Sequence, residues 1–177
     1  MGTTPHTRKL HGITMAAAIG LAGALAPHAA SAKAVSFVNY SAATHIAKLQ
    51  IIAGYNGTAS GFNFDGGSHG SVVITVPLNA KVTATFVNNS TLPHSALIVG
   101  YRKTLTAKAP TPAFKGAASA DYVNGAEKGD PATTFQFTAN KAGTFLLICG
   151  VPGHAASGMW DLFVVSPTAK TVTFSSK

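Results

Sequence analysis

Gly143-Thr-Phe-Leu-Leu-Ile-Cys149-Gly-Val-Pro-Gly-His154-Ala-Ala-Ser-Gly-Met159-Trp-Asp-Leu-Phe-Val-Val165 reads as strand, loop, strand. Its two ends are runs of aromatic and branched aliphatic residues, the composition of a buried pleated surface. Its centre is Gly, Pro, Ala and Ser, which favour turns. Three side chains in that loop are more than connection. Cys149, His154 and Met159 are separated by four residues each, and Cys149 is the chain's only cysteine. Two neighbouring strands would hold the ends of such a loop, and the loop would hold three donor atoms.

Outward from this stretch the chain continues as strands. Ser71 to Pro77 and Lys81 to Val87 are β-branched segments joined by a Pro-Leu-Asn-Ala turn. In the second, Val82, Ala84 and Phe86 alternate with Lys81, Thr83 and Thr85, the period of a half-buried strand. Ser95 to Tyr101, Thr133 to Thr138 and Lys170 to Ser175 complete the set, with an earlier strand, or alternatively a helix, within Ile46 to Tyr55. Many short strands punctuated by Gly, Pro and Asn predict an all-β sandwich or barrel. Arg102 to Pro131 breaks the pattern. It is rich in Ala, Lys, Gly and Pro and longer than an ordinary hairpin link, so it is expected to be a surface excursion with a short helix near Ala117 to Tyr122.

The N-terminus has a different character. A basic start at Arg8 and Lys9 precedes the apolar run Ile13 to Ala26 and the small-residue site Ala30-Ser31-Ala32, the layout of a secretory signal peptide over residues 1–32. The run is about 14 residues, short of the roughly 20 that a spanning helix needs; an uncleaved anchor is the alternative. Residues 33–177 then form one domain in an exported, periplasmic or extracytoplasmic setting, membrane-associated if the leader stays. A lone cysteine in an oxidising compartment calls for an explanation, and metal ligation supplies one.

The net charge is +8, and +6 once Arg8 and Lys9 are removed with the leader. No basic run with interleaved aromatics occurs, so nucleic acid is not expected as a partner. An anionic surface or acidic protein is. With only five carboxylates, few groups must protonate as pH falls, and acid tolerance would follow.

A thiolate, imidazoles and a weak thioether are the ligand set of a mononuclear blue-copper site. The loop lacks one imidazole, and His94 in Leu92-Pro93-His94-Ser95 is the candidate, with His45 and His69 as rivals. The donors suit both copper oxidation states, so little rearrangement accompanies electron transfer. Gly150, Gly153 and Gly158 permit tight turns, and Pro152 stiffens the loop. Val151, Pro152, Ala155 and Ala156, with Pro93, would surround the His154 edge with an apolar patch. Trp160 and Phe145 are candidates to wall the metal from water.

These residues resemble a cupredoxin of the sulfocyanin and rusticyanin group. The Cys-x4-His-x4-Met spacing, Phe62-Asn-Phe-Asp-Gly, Val73-Ile-Thr-Val-Pro77, Leu92-Pro-His-Ser95 and Cys149 to Trp160 are most similar to sulfocyanin, over roughly residues 50–165. The resemblance implies a Greek-key β-sandwich and one type 1 copper held by His94, Cys149, His154 and Met159. It also implies electron shuttling among respiratory partners such as cytochromes or a terminal oxidase. Ser95 falls where rusticyanin-like proteins have serine, which implies a raised potential. Archaeal sulfocyanins are usually anchored at the N-terminus, whereas this leader reads as cleavable; residues 102–131 carry no family motif.

The protein is thus expected to be a monomeric electron carrier and not an enzyme. Multicopper enzymes need further His-rich ligand sets, whereas residues 33–177 contain only His45, His69, His94 and His154. The alternative is a copper delivery or buffering protein, but Met1 and Met15 lie in the leader, leaving only Met159 for a methionine-based carrier.

Overall fold

Strand periodicity carries directly into the architecture. In the computed structural model, which describes Met1, Gly2 and residues 36–177, the strands are β1 (Val38–Ser41), β2 (Ile46–Ala53), β3 (Val72–Pro77), β4 (Lys81–Asn88), β5 (Leu97–Gly100), β6 (Thr133–Thr138), β7 (Gly143–Ile148), β8 (Trp160–Ser166) and β9 (Thr173–Ser176). They form two sheets, ordered β1-β2-β4-β6 and β5-β7-β8-β3-β9. Pairing is antiparallel except for β2 with β4 and β3 with β8. This is the expected all-β Greek-key sandwich. Ile46–Ala53 is a strand, which closes the helical alternative, and β1 adds an edge strand that the sequence reading did not assign. The leader expected at residues 1–32 lies outside the described residues apart from Met1 and Gly2. Among the described residues no helix is long and apolar enough to cross a membrane.

The inner faces of the two sheets supply one continuous core. Ile51, Val82, Phe86, Phe135 and Phe137 meet Ile74, Val76, Ile98, Leu147, Phe163 and Val165. Each large side chain removed from water here contributes about 1.5–3 kcal/mol.

β5 and β7 do not alternate; both are buried on two faces. Their second face, Leu97, Val99, Leu146 and Ile148, forms a separate apolar cluster. Leu105, Ala109, Ala118 and Tyr122 pack against it. The segment 102–131 therefore packs over this sheet through a few anchoring side chains, while most of its residues stay exposed. Phe114 and Ala117 go further and enter the main core. The short helix expected near Ala117 to Tyr122 does not form. Instead Ala118 bridges Leu97 and Ala126 bridges His94, with a turn between them. Ile98 N–H donates to Ala117 O at 3.0 Å, and Ser119 N–H to Ala96 O at 2.8 Å. The edge of β5 thus takes up backbone groups that a helix would have paired internally.

Candidate metal centre

β5 and β7 pair with Leu97 opposite Ile148. Continuing both strands toward the same end places residues 94–95 beside residues 149–150. Ile148 also lies opposite Trp160, so the loop leaves and returns at adjacent positions. The Cys149 N–H closes it by donating to Met159 O at 3.1 Å, and the Met159 N–H donates to His154 O at 3.0 Å. Met159 is thereby tied through its own peptide groups to the two other donor residues of the loop. Gly153 and Gly158 have φ of 86° and 102°, the left-handed region that favours glycine. Gly150 is required for a different reason, since a Cβ there would collide with the Tyr122 carbonyl.

This arrangement brings together the three strong donors named from the sequence. Cys149 Sγ lies 3.7 Å from His94 Nδ1 and 3.5 Å from His154 Nδ1, and the two Nδ1 atoms are 3.1 Å apart. The centre of a triangle with these sides lies about 2 Å from each corner, the length of a metal–imidazole bond. The donors fit one small, soft-ligand ion. The Met159 side chain is fully buried at the same end of the sandwich.

Burial also sets protonation in the metal-free protein. It lowers the His94 pKa to about 4, with the neighbouring His154 a smaller contributor, and it lowers that of His154. The His94 ring therefore keeps a lone pair for a metal down to about pH 4, and burial favours the neutral, metal-binding form of His154 as well. Burial raises the Cys149 thiol, partly offset by hydrogen bonds from Ser95 and Val151. A metal binding such a buried thiol displaces its proton, which is released to solvent.

The surroundings hold the donors still. Ser95 N–H donates to Cys149 Sγ at 3.4 Å. The Ser95 hydroxyl donates to Tyr122 O at 2.7 Å and accepts from Gly150 N–H at 2.9 Å, joining the 102–131 layer to the ligand loop. The backbone of His94 exchanges two hydrogen bonds with Ala126, at 3.1 and 2.8 Å. Buried Asn88 donates to Leu92 O and Ala126 O, clamping the approach to His94. The His94 Nε2 is buried without a partner among the described residues, so packing orients that ring.

That packing comes from Phe62, which the sequence reading did not select as a wall. Its ring centroid is 5.7 Å from that of His94 and 4.8 Å from that of His154, edge-on to both. Trp160 and Phe145, the expected walls, lie elsewhere. Trp160 opens β8, where it alternates with buried Asp161 and shares the face of Leu162, joining the Leu97–Ile148 cluster. Phe145 packs on Phe114, with centroids 4.8 Å apart. The rival histidines are also placed. His45 is exposed at the β1–β2 turn, beside Tyr40, and His69 is exposed with its ring against Gly158. The apolar patch keeps Pro152 and Ala156 exposed beside half-buried His154 and Pro93, while Ala155 is buried in the cluster.

Comparison with known proteins agrees with this geometry. Residues 32–175 match the model of the sulfocyanin (SoxE) domain. The chain is 35% identical to the sulfocyanin of Sulfolobus acidocaldarius over 135 residues, covering 72% of this chain and 67% of that one. This chain belongs to the sulfocyanin family. In fold it is similar to reduced rusticyanin, with a TM-score of 0.50, 22% identity, and 69% and 85% of the two chains covered. A second rusticyanin structure gives a TM-score of 0.51 at 21% identity, over 73% and 87% of the chains. As in other cupredoxins of this family, the cofactor is one type 1 copper ion, and the converging donors form a site for it.

Proposed function

We propose that His94, Cys149, His154 and Met159 hold the copper of a one-electron carrier that is exported and passes electrons between respiratory redox proteins. When bound, the copper supplies a Cu(II)/Cu(I) couple with a covalent thiolate and a weak thioether. The chain's own part is to fix the donors. Reciprocal backbone bonds hold His94, Ser95 supports the sulfur, and the loop's closing bonds hold Met159. A cage that is rigid before the metal enters keeps the rearrangement on electron transfer small. Half-buried His154, beside exposed Pro152, offers the outward route for the electron.

The reading rests most on one observation, the triangle of Cys149 and two imidazole nitrogens with sides of 3.1 to 3.7 Å. Burial of Cys149, His94 and Met159 supports retention of the ion over its delivery to another protein. Residues 1–32 are read as the export leader and 33–177 as the copper domain, a monomer that meets an anionic surface, cytochromes or a terminal oxidase outside the cytoplasm. No part of this reading needs enzymatic turnover. The test is the visible spectrum of the Cu(II)-loaded protein. An intense blue band that bleaches with a reductant and returns with an oxidant is expected; colourless protein with stoichiometric copper would refute the assignment. Rapid copper loss to a chelator at neutral pH would favour the delivery protein instead.

A further inference from the structure

The turn Ser68–Ser71 lies far from the ligand loop in sequence, yet it grips the two residues that flank Met159. His69 N–H donates to Gly158 O at 2.8 Å, and Gly70 N–H donates to Trp160 O at 2.9 Å. The side chains repeat the contact. A Cβ on Gly158 would overlap Cε1, Nε2 and Nδ1 of the His69 ring, so the imidazole lies flat over that α-carbon. A Cβ on Gly70 would overlap the Trp160 ring in the same way. The turn itself is constrained. His69 sits at φ 54° and Gly70 at φ 75°, and Ser68 N–H donates to Ser71 Oγ at 3.1 Å. A left-handed non-glycine residue costs free energy and persists where surrounding structure enforces it. Here the enforced conformation is the one that presents the ring to Gly158.

We infer that His69 is a positioning residue for the axial donor: its ring clamps Gly158 and so fixes how far the Met159 thioether stands from the metal. This rests on the copper reading above. The exposed imidazole is therefore a rigid plate and not a ligand, which also accounts for a histidine in the glycine-rich turn Gly66 to Gly70. The axial donor of such a site is weak and long, so its position is decided by the protein more than by the bond. Loosening Gly158 lets the thioether withdraw. A weaker axial donor stabilises Cu(II) less, and the balance moves toward Cu(I).

The test uses the full chain with His69→Asn and His69→Phe. Asparagine tolerates the left-handed backbone and lacks the ring; phenylalanine restores a planar ring without nitrogen. In the Cu(II)-loaded protein, His69→Asn is expected to change the intensity ratio of the visible bands and to shift the equilibrium with a one-electron reagent about threefold toward Cu(I). His69→Phe is expected to return both toward wild type. In the metal-free protein, His69→Asn is expected to sharpen the Met159 ε-methyl NMR line as the side chain gains freedom. An unchanged band ratio and equilibrium in His69→Asn would overturn the inference. So would a shift that His69→Phe reproduces in full while its metal-free Met159 methyl line stays as broad as in wild type, since the packing would then be kept and the imidazole's chemistry would be responsible. Wild-type protein without the blue band would instead defeat the copper reading, and the metal-free methyl line would still decide whether His69 clamps the loop.

Discussion

Residues 149–159 and residues 102–131 both pack against the outer face of β5 and β7, and they differ in how they are held. The ligand loop closes on itself, through bonds such as Cys149 N–H to Met159 O and Met159 N–H to His154 O, and outside contacts such as His69 N–H to Gly158 O add to that closure. The longer segment is fixed from outside. It borrows the edge of β5 through Ala117, Ser119 and Ala126, and the outer face of β5 and β7 through Leu105, Ala109 and Tyr122. Chemistry sits in the first and mechanical support in the second. The Ser95 hydroxyl joins them, with the Tyr122 carbonyl on one side and the Gly150 amide on the other.

Two substitutions with large and opposite effects can break this contrast. Cys149→Ser should abolish the blue colour of copper-loaded protein while leaving the strand signal in circular dichroism intact. Phe114→Ala should do the reverse. Phe114 is buried, with ring centroids 5.3 Å from Phe137 and 4.8 Å from Phe145. Its truncation should cost about 3–5 kcal/mol in urea unfolding, with the colour retained in the folded fraction. An ordinary surface loop would lose less than about 0.5 kcal/mol, and that smaller loss would return residues 102–131 to the status of an excursion.

The two regions also differed in how readable they were. The loop announced itself because Cys149, His154 and Met159 carry rare chemistry at a fixed spacing, and chemistry of that kind survives without knowledge of the fold. The role of residues 102–131 was written elsewhere. Leu146 and Ile148 on one face and Phe145 and Leu147 on the other make β7 apolar on both sides, so a two-layer sandwich leaves one face uncovered. That surplus was the available signal. Trp160 faces away from the metal because alternation along β8 gives the inner face to Asp161 and Phe163. Phe62 was missed because nothing in its neighbourhood announces contact with residues 94 and 154; a turn with Ala59 and Ser60 at φ 48° and 54° leads into it.

The carboxyl groups give a second way to sharpen the contrast. Asp121, Glu127 and Asp130 lie in the 102–131 segment and are exposed, whereas Asp65 and Asp161 are buried. Asp65 accepts Ile52 N–H at 2.8 Å through one oxygen, and its other oxygen is without a partner among the described residues. Burial raises its pKa to about 8, with repulsion from Asp161 adding to the rise. A carboxyl whose folded pKa exceeds its unfolded value binds more protons in the fold. Its contribution is therefore complete below about pH 4 and is lost as pH climbs through about 8. Between pH 5 and 7 the wild type should lose stability faster than Asp65→Asn, by at most about 1.4 kcal/mol per pH unit. Urea unfolding of the metal-free proteins at a series of pH values checks this, and parallel curves would show that Asp65 is charged in the fold.

The smallest effect expected is at Ser119, where a side chain of the supporting layer reaches Ala96, the residue leading into β5. Ser119 is buried, and its hydroxyl oxygen accepts the Ala96 N–H at 3.1 Å. Ala96 follows Ser95 and so stands two residues from His94. Ser119→Ala removes the acceptor without removing volume that the core needs, leaving a buried amide without its side-chain partner at a cost of about 1–3 kcal/mol. The Ser119 N–H to Ala96 O bond survives, so the layer should stay docked and the colour should persist. Local opening should still become easier, and amide exchange at Ala96 is expected to quicken more than exchange in the distant β1–β2 pair. If Ala96 exchanged at its wild-type rate and stability fell by less than about 0.5 kcal/mol, the Ser119 hydroxyl would hold nothing, and the support assigned to residues 102–131 would rest on the backbone bonds of Ala117, Ser119 and Ala126 and on the apolar contacts of Phe114, Leu105 and Tyr122.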